Sequence, residues 1–585
     1  MTKIPNSPCP AHPAGTASHW IAAACAALIA GCGGGGSSDA LPQLAAATGA
    51  PLGACADLAS KFSFANTTIT SAAPVAEGPL PAATATVVAG PVVGAHCQVK
   101  GEMYRRTSPQ DGSSYAIGFE MRMPNNWNGR FFYQANGGLD GNVGTALGAI
   151  GGSAPNFSNA LKMGFAVISS NAGHDTAGPS FGIDAQARLD YGYNAAAKLT
   201  PMAKSLITSA YGKGPDRSYF GGCSNGGRHT FVATTRLPEQ YDGFLAGAPG
   251  YRLPLAATAN MFSAKQLLKV PGTTVADLSV AFPTPERVMV SKAILAKCDA
   301  LDGATDGIVQ DVAACQKAFD FNRDVPTCSG ARDGTCLSAD QKTALAPIFS
   351  GATDSTGKKF YASLVYDAGI SGASFATWKF NASKGLDTGA VATVWGVPPI
   401  SQTGFDGPTY LTSTSVDTML ASIAATNSTY LESALSFMQP VNPSNLSTLK
   451  NRGAKVMVYH GVSDPIFMHD DTVTWYENLR SANNGNASDF ARFYPVPGMG
   501  HCAGGPATDQ FDMLTPLVNW VEKGQAPDSV VATARGLATT AGAANLDIPT
   551  SWTPGRTRPL CPYPQVARLK AGATDLESAS SFSCQ

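Results

Sequence analysis

The sequence predicts an α/β fold, with a mostly parallel sheet and one large insertion. Three observations predict it. Short buried-strand runs recur, each closing on a glycine-rich turn. Segments between them carry apolar residues at helical spacing. From about 251 to 449 the alternation lapses into threonine, serine, glycine and asparagine with four cysteines. Strands alternating with helices favour a parallel sheet, and a segment that breaks the rhythm reads as an insertion above it.

The elements follow in order. "GRFFYQANGG" (129–138) reads as a strand entering a flexible turn, and "GFAVISSNAG" (164–173) as a buried strand. Residues 185–211 have helical periodicity, with Pro201 expected to kink or restart the helix. "DRSYFGGCSNGGRHTFVATTRLP" reads as an aromatic strand, a sharp glycine turn and a helix, and "YDGFLAGAPG" as a further strand. "GAKVMVYHGVSDP" (453–465) and "ARFYPVPGMGH" (491–501) repeat the strand-then-loop form. "FDMLTPLVNWVEKG" (511–524) is an amphipathic helix.

The chain has 585 residues, a net charge of −1 and only 14% charged residues. No basic stripe is present, which argues against a nucleic-acid partner. The apolar run Trp20–Ala30 is too short to span a bilayer and reads as the core of a signal peptide, residues 1–31. Its end, Leu-Ile-Ala-Gly-Cys, resembles a bacterial lipobox with Cys32 as the lipidated residue; an ordinary cleaved signal with a chance cysteine is the alternative. Residues 32–50 would be a flexible tether, and membrane contact would come only through the lipid. Either way the protein is exported.

Beyond the signal lie Cys55, Cys97, Cys223, Cys298, Cys315, Cys328, Cys336, Cys502, Cys561 and Cys584. An even set in an exported chain suggests full pairing, although sequence alone does not give the connectivity. Neighbours along the chain suggest Cys55–Cys97, Cys298–Cys315, Cys328–Cys336 and Cys561–Cys584, leaving Cys223 with Cys502.

Gly222-Cys223-Ser224-Asn225-Gly226 fits G-x-S-x-G, a strand-to-helix turn that exposes a serine hydroxyl. That hydroxyl needs a base, and the base needs an orienting acid. The chain order Ser, acid, His selects among the histidines. His229 lies on the helix starting at the serine and should point away. His460 ends a strand and either lines the pocket or orients Asp464. His469 reads as a surface residue. His501, after "PGMG", stands where the base belongs, and Asp464 in "GVSDP" is the acid. A Cys223–Cys502 bridge would then clamp the two catalytic loops.

The stretches "NGRFFYQANGG", "SYFGGCSNGGR", "YDGFLAGAPGYRLP", "CDALDGATDGIV", "VYHGVSDP", "PGMGHCAGGPATDQFDMLTPLVNWVEKG" and "RTRPLCPYPQVARLK" carry a resemblance. The chain resembles the tannase and feruloyl esterase family of α/β-hydrolases. The resemblance implies an α/β-hydrolase fold, with residues 51–250 and 450–585 as the catalytic domain and 251–449 as a lid domain. It implies the same five disulfides. It implies an oxyanion hole from the backbone N–H groups of Gly138 and Asn225, and an apolar acyl slot bordered by Leu253 and Phe467, both equally compatible with the core. It implies a structural Ca²⁺ in the lid, held by the carboxylates of Asp299, Asp302 and Asp306 and the carbonyls of Ala304 and Ile308. Hard oxygen ligands in one short loop suit that ion. No organic cofactor is implied.

The activity this predicts is a secreted serine carboxylic ester hydrolase acting on small aromatic acid esters of feruloyl, galloyl or terephthalate-monoester type. The alternative is a non-catalytic binding protein for aromatic ligands on the same fold. Family members that take the terephthalate monoester hold its free carboxylate with a lid arginine. Here the corresponding stretch, "WKFNASKGLDTGAVATVWGVPP", has Lys379 and Lys384 as its only cations, and a lysine lacks the bidentate fork.

Overall fold

Nine strands form the main sheet of the computed structural model, which describes residues 41–79, 92–150, 159–536 and 544–585. They are β1 (Thr67–Val75), β2 (His96–Thr107), β3 (Ser114–Pro124), β4 (Arg130–Gln134), β5 (Ala166–Ser170), β6 (Arg217–Cys223), β7 (Gly243–Gly247), β8 (Lys455–Gly461) and β9 (Ala491–Val496). Their order across the sheet is β9-β8-β7-β6-β4-β5-β3-β2-β1. Strands β4 to β9 pair in parallel. Strands β1 to β3 extend the sheet in antiparallel fashion.

The parallel strands are buried on both faces, which is why they read as unbroken apolar runs. Their side chains alternate between two cores, as a period of two requires. Phe131, Phe220, Phe244, Val456 and Phe493 point into one cluster. Phe132, Tyr219, Leu245, Met457 and Tyr494 point into the other. Helix α1 (Ala195–Tyr211) covers the first face with Leu199, Met202, Leu206 and Ile207. A C-terminal helix, Leu514–Lys523, covers the second with Leu514, Leu517, Trp520 and Val521.

One expected break in α1 is displaced. The helix continues through Pro201, and its winding changes earlier, in a π-helical turn at Asp190–Asn194. Proline lacks the N–H that would reach the Ala197 carbonyl, and beside it Thr200 Oγ1 donates to the Ala196 carbonyl at 2.6 Å.

Between β7 and β8 the chain adds no strand to the sheet. It folds mainly as helices, including α3 (Leu253–Leu267), α4 (Thr284–Cys298) and α5 (Ala339–Ser350), numbered after α2 (Asn225–Arg236), which follows β6. Met261, Val290 and Leu345 of this insertion share the cluster that holds Phe131 and Phe220 of the sheet. The insertion is therefore seated on the sheet's own core.

Among the described residues, five disulfides join Cys55–Cys97, Cys223–Cys502, Cys298–Cys315, Cys328–Cys336 and Cys561–Cys584. The expected signal peptide and Cys32 lie outside the described residues. The end of the expected tether is not free. Gln43 Nε2 donates to the Val521 carbonyl at 2.8 Å, and the Ala47 N–H donates to Glu522 at 2.9 Å. Asp216 accepts from both the N–H and the hydroxyl of Thr48. A backbone carbonyl thus anchors Gln43, and the carboxylates of Glu522 and Asp216 anchor residues 47 and 48. Among the described residues, no helix is long and apolar enough to cross a membrane.

Candidate active site

Ser224 sits between β6 and α2 with φ +66° and ψ −126°. A non-glycine residue in that region is strained, and the strain is local to the turn. The glycines on either side are dictated by contact. A Cβ on Gly222 would lie 2.3 Å from the Ala135 carbonyl oxygen, and one on Gly226 2.4 Å from the same atom. Only hydrogen fits in both places, so the G-x-S-x-G spacing is a packing requirement of this turn.

Ser224 Oγ lies 2.8 Å from His501 Nε2. His501 Nδ1 lies 2.7 Å from Asp464 Oδ2. Asp464 is fully buried, and its Oδ1 accepts the N–H groups of Ile466 and Phe467 at 3.0 Å each. Burial alone would raise its pKa. The charges of His501 and His460 and their hydrogen bonds outweigh that and hold it well below the usual carboxylate range.

His460 is fully buried, so it does not line a pocket. Its Nε2 is 3.2 Å from Asp464 Oδ2 and 2.9 Å from the Phe467 carbonyl, while Nδ1 is 2.8 Å from Thr472 Oγ1. Its contacts are with Asp464 and the residues around it, and its ring has no solvent-exposed face. His469 is also buried rather than on the surface. It packs against Phe493 and His460, and burial first, then the His460 charge, pushes its pKa down to about 3.

The Cys223–Cys502 bridge joins the residue before the serine to the residue after the histidine, with Cα atoms 6.2 Å apart. The insertion adds a second tie that no local motif announces. Asp367 Oδ1 accepts the Gly498 N–H at 3.1 Å and the Ser463 hydroxyl. One buried carboxylate thereby spans the loops that carry Asp464 and His501. Ser374 Oγ accepts the His501 N–H at 3.1 Å. Two aromatic rings meet the His501 imidazole edge to face: Trp378 at 4.8 Å and Phe467 at 5.1 Å. Trp378 is half-buried and was not singled out from sequence; its only signal is being an aromatic residue in the insertion. Phe467 and Leu253, the latter opening α3, are both buried in the main core cluster.

The Gly137-Gly138 turn lies against the serine: a Cβ on Gly137 would sit 3.8 Å from Ser224 Cβ. Gly138 has φ +64°. Asn225 opens α2, so its N–H has no acceptor inside the helix.

The loop after α4 gathers Asp299, Asp302 and Asp306, all buried. Asp299 Oδ1 accepts from the N–H groups of Asp306 and Gly307, and Asp302 Oδ1 from that of Ala304. Asp306 Oδ1 accepts the Ile308 N–H, and its Oδ2 pairs with Arg558 from the C-terminal segment. Asp302 Oδ2 is buried with no partner. Burial, and then the charges of Asp306 and Asp299, push the Asp302 carboxyl up to about 7. Among the described residues, no three His, Cys, Asp or Glu side chains are grouped closely enough to form a metal cluster.

Neither lysine of the insertion stretch is free. Lys379 is fully buried, with Nζ 3.4 Å from Ser263 Oγ, and burial pushes its pKa down to about 7. Lys384 Nζ donates to the carbonyls of Val275 and Ala276 at 3.2 and 2.5 Å.

The family profile described as tannase and feruloyl esterase matches residues 97–585. The mono(2-hydroxyethyl) terephthalate hydrolase of Piscinibacter sakaiensis is 38% identical over 545 residues, covering 86% of each chain. A probable feruloyl esterase B-1 of Aspergillus fumigatus is 31% identical over 432 residues, 70% of this chain and 74% of its own. Among solved structures, feruloyl esterase B from Aspergillus oryzae matches with a TM-score of 0.71 at 23% identity, over 91% of this chain and 99% of its own. A tannin acyl hydrolase from Aspergillus niger matches with a TM-score of 0.62 at 20% identity, over 90% and 92%. These two structural matches bear on the fold alone. The chain belongs to the tannase and feruloyl esterase family and is a carboxylic ester hydrolase of the α/β-hydrolase fold.

Proposed function

We propose that the protein hydrolyses aromatic carboxylic esters through an acyl-enzyme on Ser224. The observation that carries this reading is the unbroken hydrogen-bonded chain from Ser224 through His501 to Asp464. His501 Nε2 takes the hydroxyl proton as Oγ attacks the ester carbonyl. The N–H groups of Gly138 and Asn225 receive the negative oxygen of the tetrahedral intermediate. The intermediate collapses, the alcohol leaves with the proton from His501, and water repeats the cycle on the acyl-enzyme. Buried, ionised Asp464 keeps Nδ1 protonated and stabilises the imidazolium. This chain favours catalysis over the non-catalytic binding module.

The acyl group is aromatic, a reading supported by Phe467 and Trp378 around His501 and by the family. With Lys379 buried and Lys384 held by carbonyls, the favoured acids lack a distal carboxylate, which ranks feruloyl and galloyl esters above the terephthalate monoester. Residues 251–449 serve as the lid that carries Trp378. A structural Ca²⁺ would be held by Asp299, Asp302 and Asp306 with the carbonyls of Ala304 and Ile308. The unpartnered Asp302 Oδ2 supports this, and carboxylate oxygens already accepting an N–H retain further lone pairs. The ion would supply charge neutralisation to this loop and takes no part in the reaction. Export is supported by the five disulfides among the described residues, and the lipid anchor at Cys32 rests on the lipobox-like sequence alone.

Ser224→Ala should lower kcat for a p-nitrophenyl ester by at least about 10⁴-fold with unchanged circular dichroism. A serine-directed fluorophosphonate should label wild type and leave the variant unlabelled. Retained turnover by the variant removes Ser224 from the mechanism. A panel of methyl ferulate, methyl gallate and the terephthalate monoester ranks the acids.

A further inference from the structure

One buried carboxylate ties the oxyanion loop to the helix behind the serine. Asp140 Oδ2 accepts from Asn225 Nδ2 at 2.8 Å and contacts His229 Nε2 at 2.8 Å. The His229 ring also faces Arg228, whose Nη2 lies 2.9 Å from Nε2 and 3.1 Å from Nδ1. Asn225 Oδ1 accepts in turn from Arg228 Nε at 2.8 Å and from the Tyr191 hydroxyl at 3.2 Å. The same hydroxyl lies 3.3 Å from the Gly138 carbonyl. Asp140, Asn225, Arg228, His229 and Tyr191 are all buried.

This arrangement serves the two groups that form the oxyanion hole. Asp140 has φ +58° and closes the turn that carries Gly138, its N–H donating to the Gly137 carbonyl at 3.2 Å. Asn225 supplies the other N–H. Its side-chain amide is held on one side by Arg228 and Tyr191 and on the other by Asp140. The two oxyanion donors are thus joined through two side chains, the Asp140 carboxylate and, at longer range, the Tyr191 hydroxyl. A lone carboxylate behind that hole would oppose the negative charge forming on the substrate oxygen. Here the buried Arg228 guanidinium lies within Coulombic reach of Asp140 and offsets it.

We propose that Asp140 is a positioning residue for the oxyanion hole, locking the Gly138 turn to the Asn225 side chain so that both N–H groups keep one spacing as charge develops. This rests on the serine-esterase reading above. Neither Asp140 nor His229 touches substrate. His229, set aside in the triad because it points away from the serine, acquires a role as the second hydrogen bond that fixes the carboxylate.

The test is a double-mutant cycle on Asp140→Ala and Asn225→Ala, with Asp140→Asn as the conservative variant. Steady-state hydrolysis of a p-nitrophenyl ester is measured beside inhibition by phenylboronic acid, whose tetrahedral adduct places an oxygen in the hole, and by benzoate, which stays planar. Asp140→Ala should lower kcat by about 10- to 100-fold with KM within about twofold. Boronate affinity should fall by a similar factor while benzoate affinity holds. Asp140→Asn should recover part of the loss, and the double variant should be no worse than the worse single. Unchanged kcat and boronate affinity in Asp140→Ala, or additive losses in the double variant, overturn the proposal. If Asp140→Ala does not fold, Asp140→Asn and Asn225→Ala decide, and unchanged kcat in both overturns it. Turnover by Ser224→Ala would instead sink the serine reading itself, so the two failures are distinguishable.

Discussion

Asp464 is the residue on which the site's electrostatics converge. It is a buried anion made tolerable by two imidazoles and two backbone N–H groups. Its folded pKa lies below that of an unfolded aspartate, which is about 3.9. The sign follows from linkage. Its contribution to stability is fully present above the unfolded value and is lost as pH falls through the lower folded one. Asp464→Asn should therefore cut kcat by about 10⁴-fold at neutral pH, by removing the acceptor that sets the His501 tautomer. Urea unfolding from pH 7 to pH 2 should show the stability gap between wild type and variant narrowing below about pH 4. A gap that stays constant to pH 2 contradicts this account of Asp464.

At the scale of elements, the proposed triad is carried by three loops that follow parallel strands: those after β6, β8 and β9. Strand pairing places their starting points, since β6, β7, β8 and β9 are consecutive neighbours. Pairing alone does not set the loop ends, and here two cross-ties do so. Cys223–Cys502 joins the first loop to the third, and Asp367 joins the second to the third. Replacing both cysteines by serine should lower kcat by about tenfold or more with KM little changed, because the separation of Oγ and imidazole is no longer fixed. The bridge closes a span of 279 residues, so the variant should also lose roughly 2–5 kcal/mol of stability by denaturant titration. Equal kcat in the bridged and unbridged proteins contradicts the clamp.

At the scale of the molecule, the insertion and the catalytic sheet share one core, and the C-terminal segment closes over both. Arg558, in the strand Thr557–Leu560 that pairs with Val530–Thr533 and leads into the Cys561–Cys584 bridge, reaches Asp306 in the insertion. Arg556 Nη1 donates to the Asp306 carbonyl at 2.6 Å. The proposed Ca²⁺ loop is thus a junction of separate chain regions, and an ion there stabilises all of them by mass action. Saturating Ca²⁺ at 100 times its Kd adds about 2.7 kcal/mol. Chelation should lower the melting temperature by several degrees, and Ca²⁺ should restore it. Asp302→Asn should abolish the response. A melting temperature insensitive to both chelator and Ca²⁺ rules out the site.

The sequence by itself determined the parallel strands and the chemistry-bearing residue types, whereas the antiparallel strands β1 to β3 were not read from it. Parallel strands buried on both faces must be runs of apolar residues, so β4 to β9 were legible. The glycines around Ser224 were legible because a tight turn excludes Cβ atoms, and the order Ser, Asp, His follows from strand order. Cysteine parity suggested the bridge. Tertiary structure alone decided the rest. His460 lies at the end of β8 and His469 opens the helix that follows, and only packing sets one against Asp464 and the other against Phe493. Asp367, Trp378 and Asp140 carry no local pattern, because their partners lie far along the chain. The end of the tether is ordered by Glu522 and Asp216, residues distant in sequence. Local rules act on neighbours within a few positions, whereas these roles arise only where folding brings separate segments into contact.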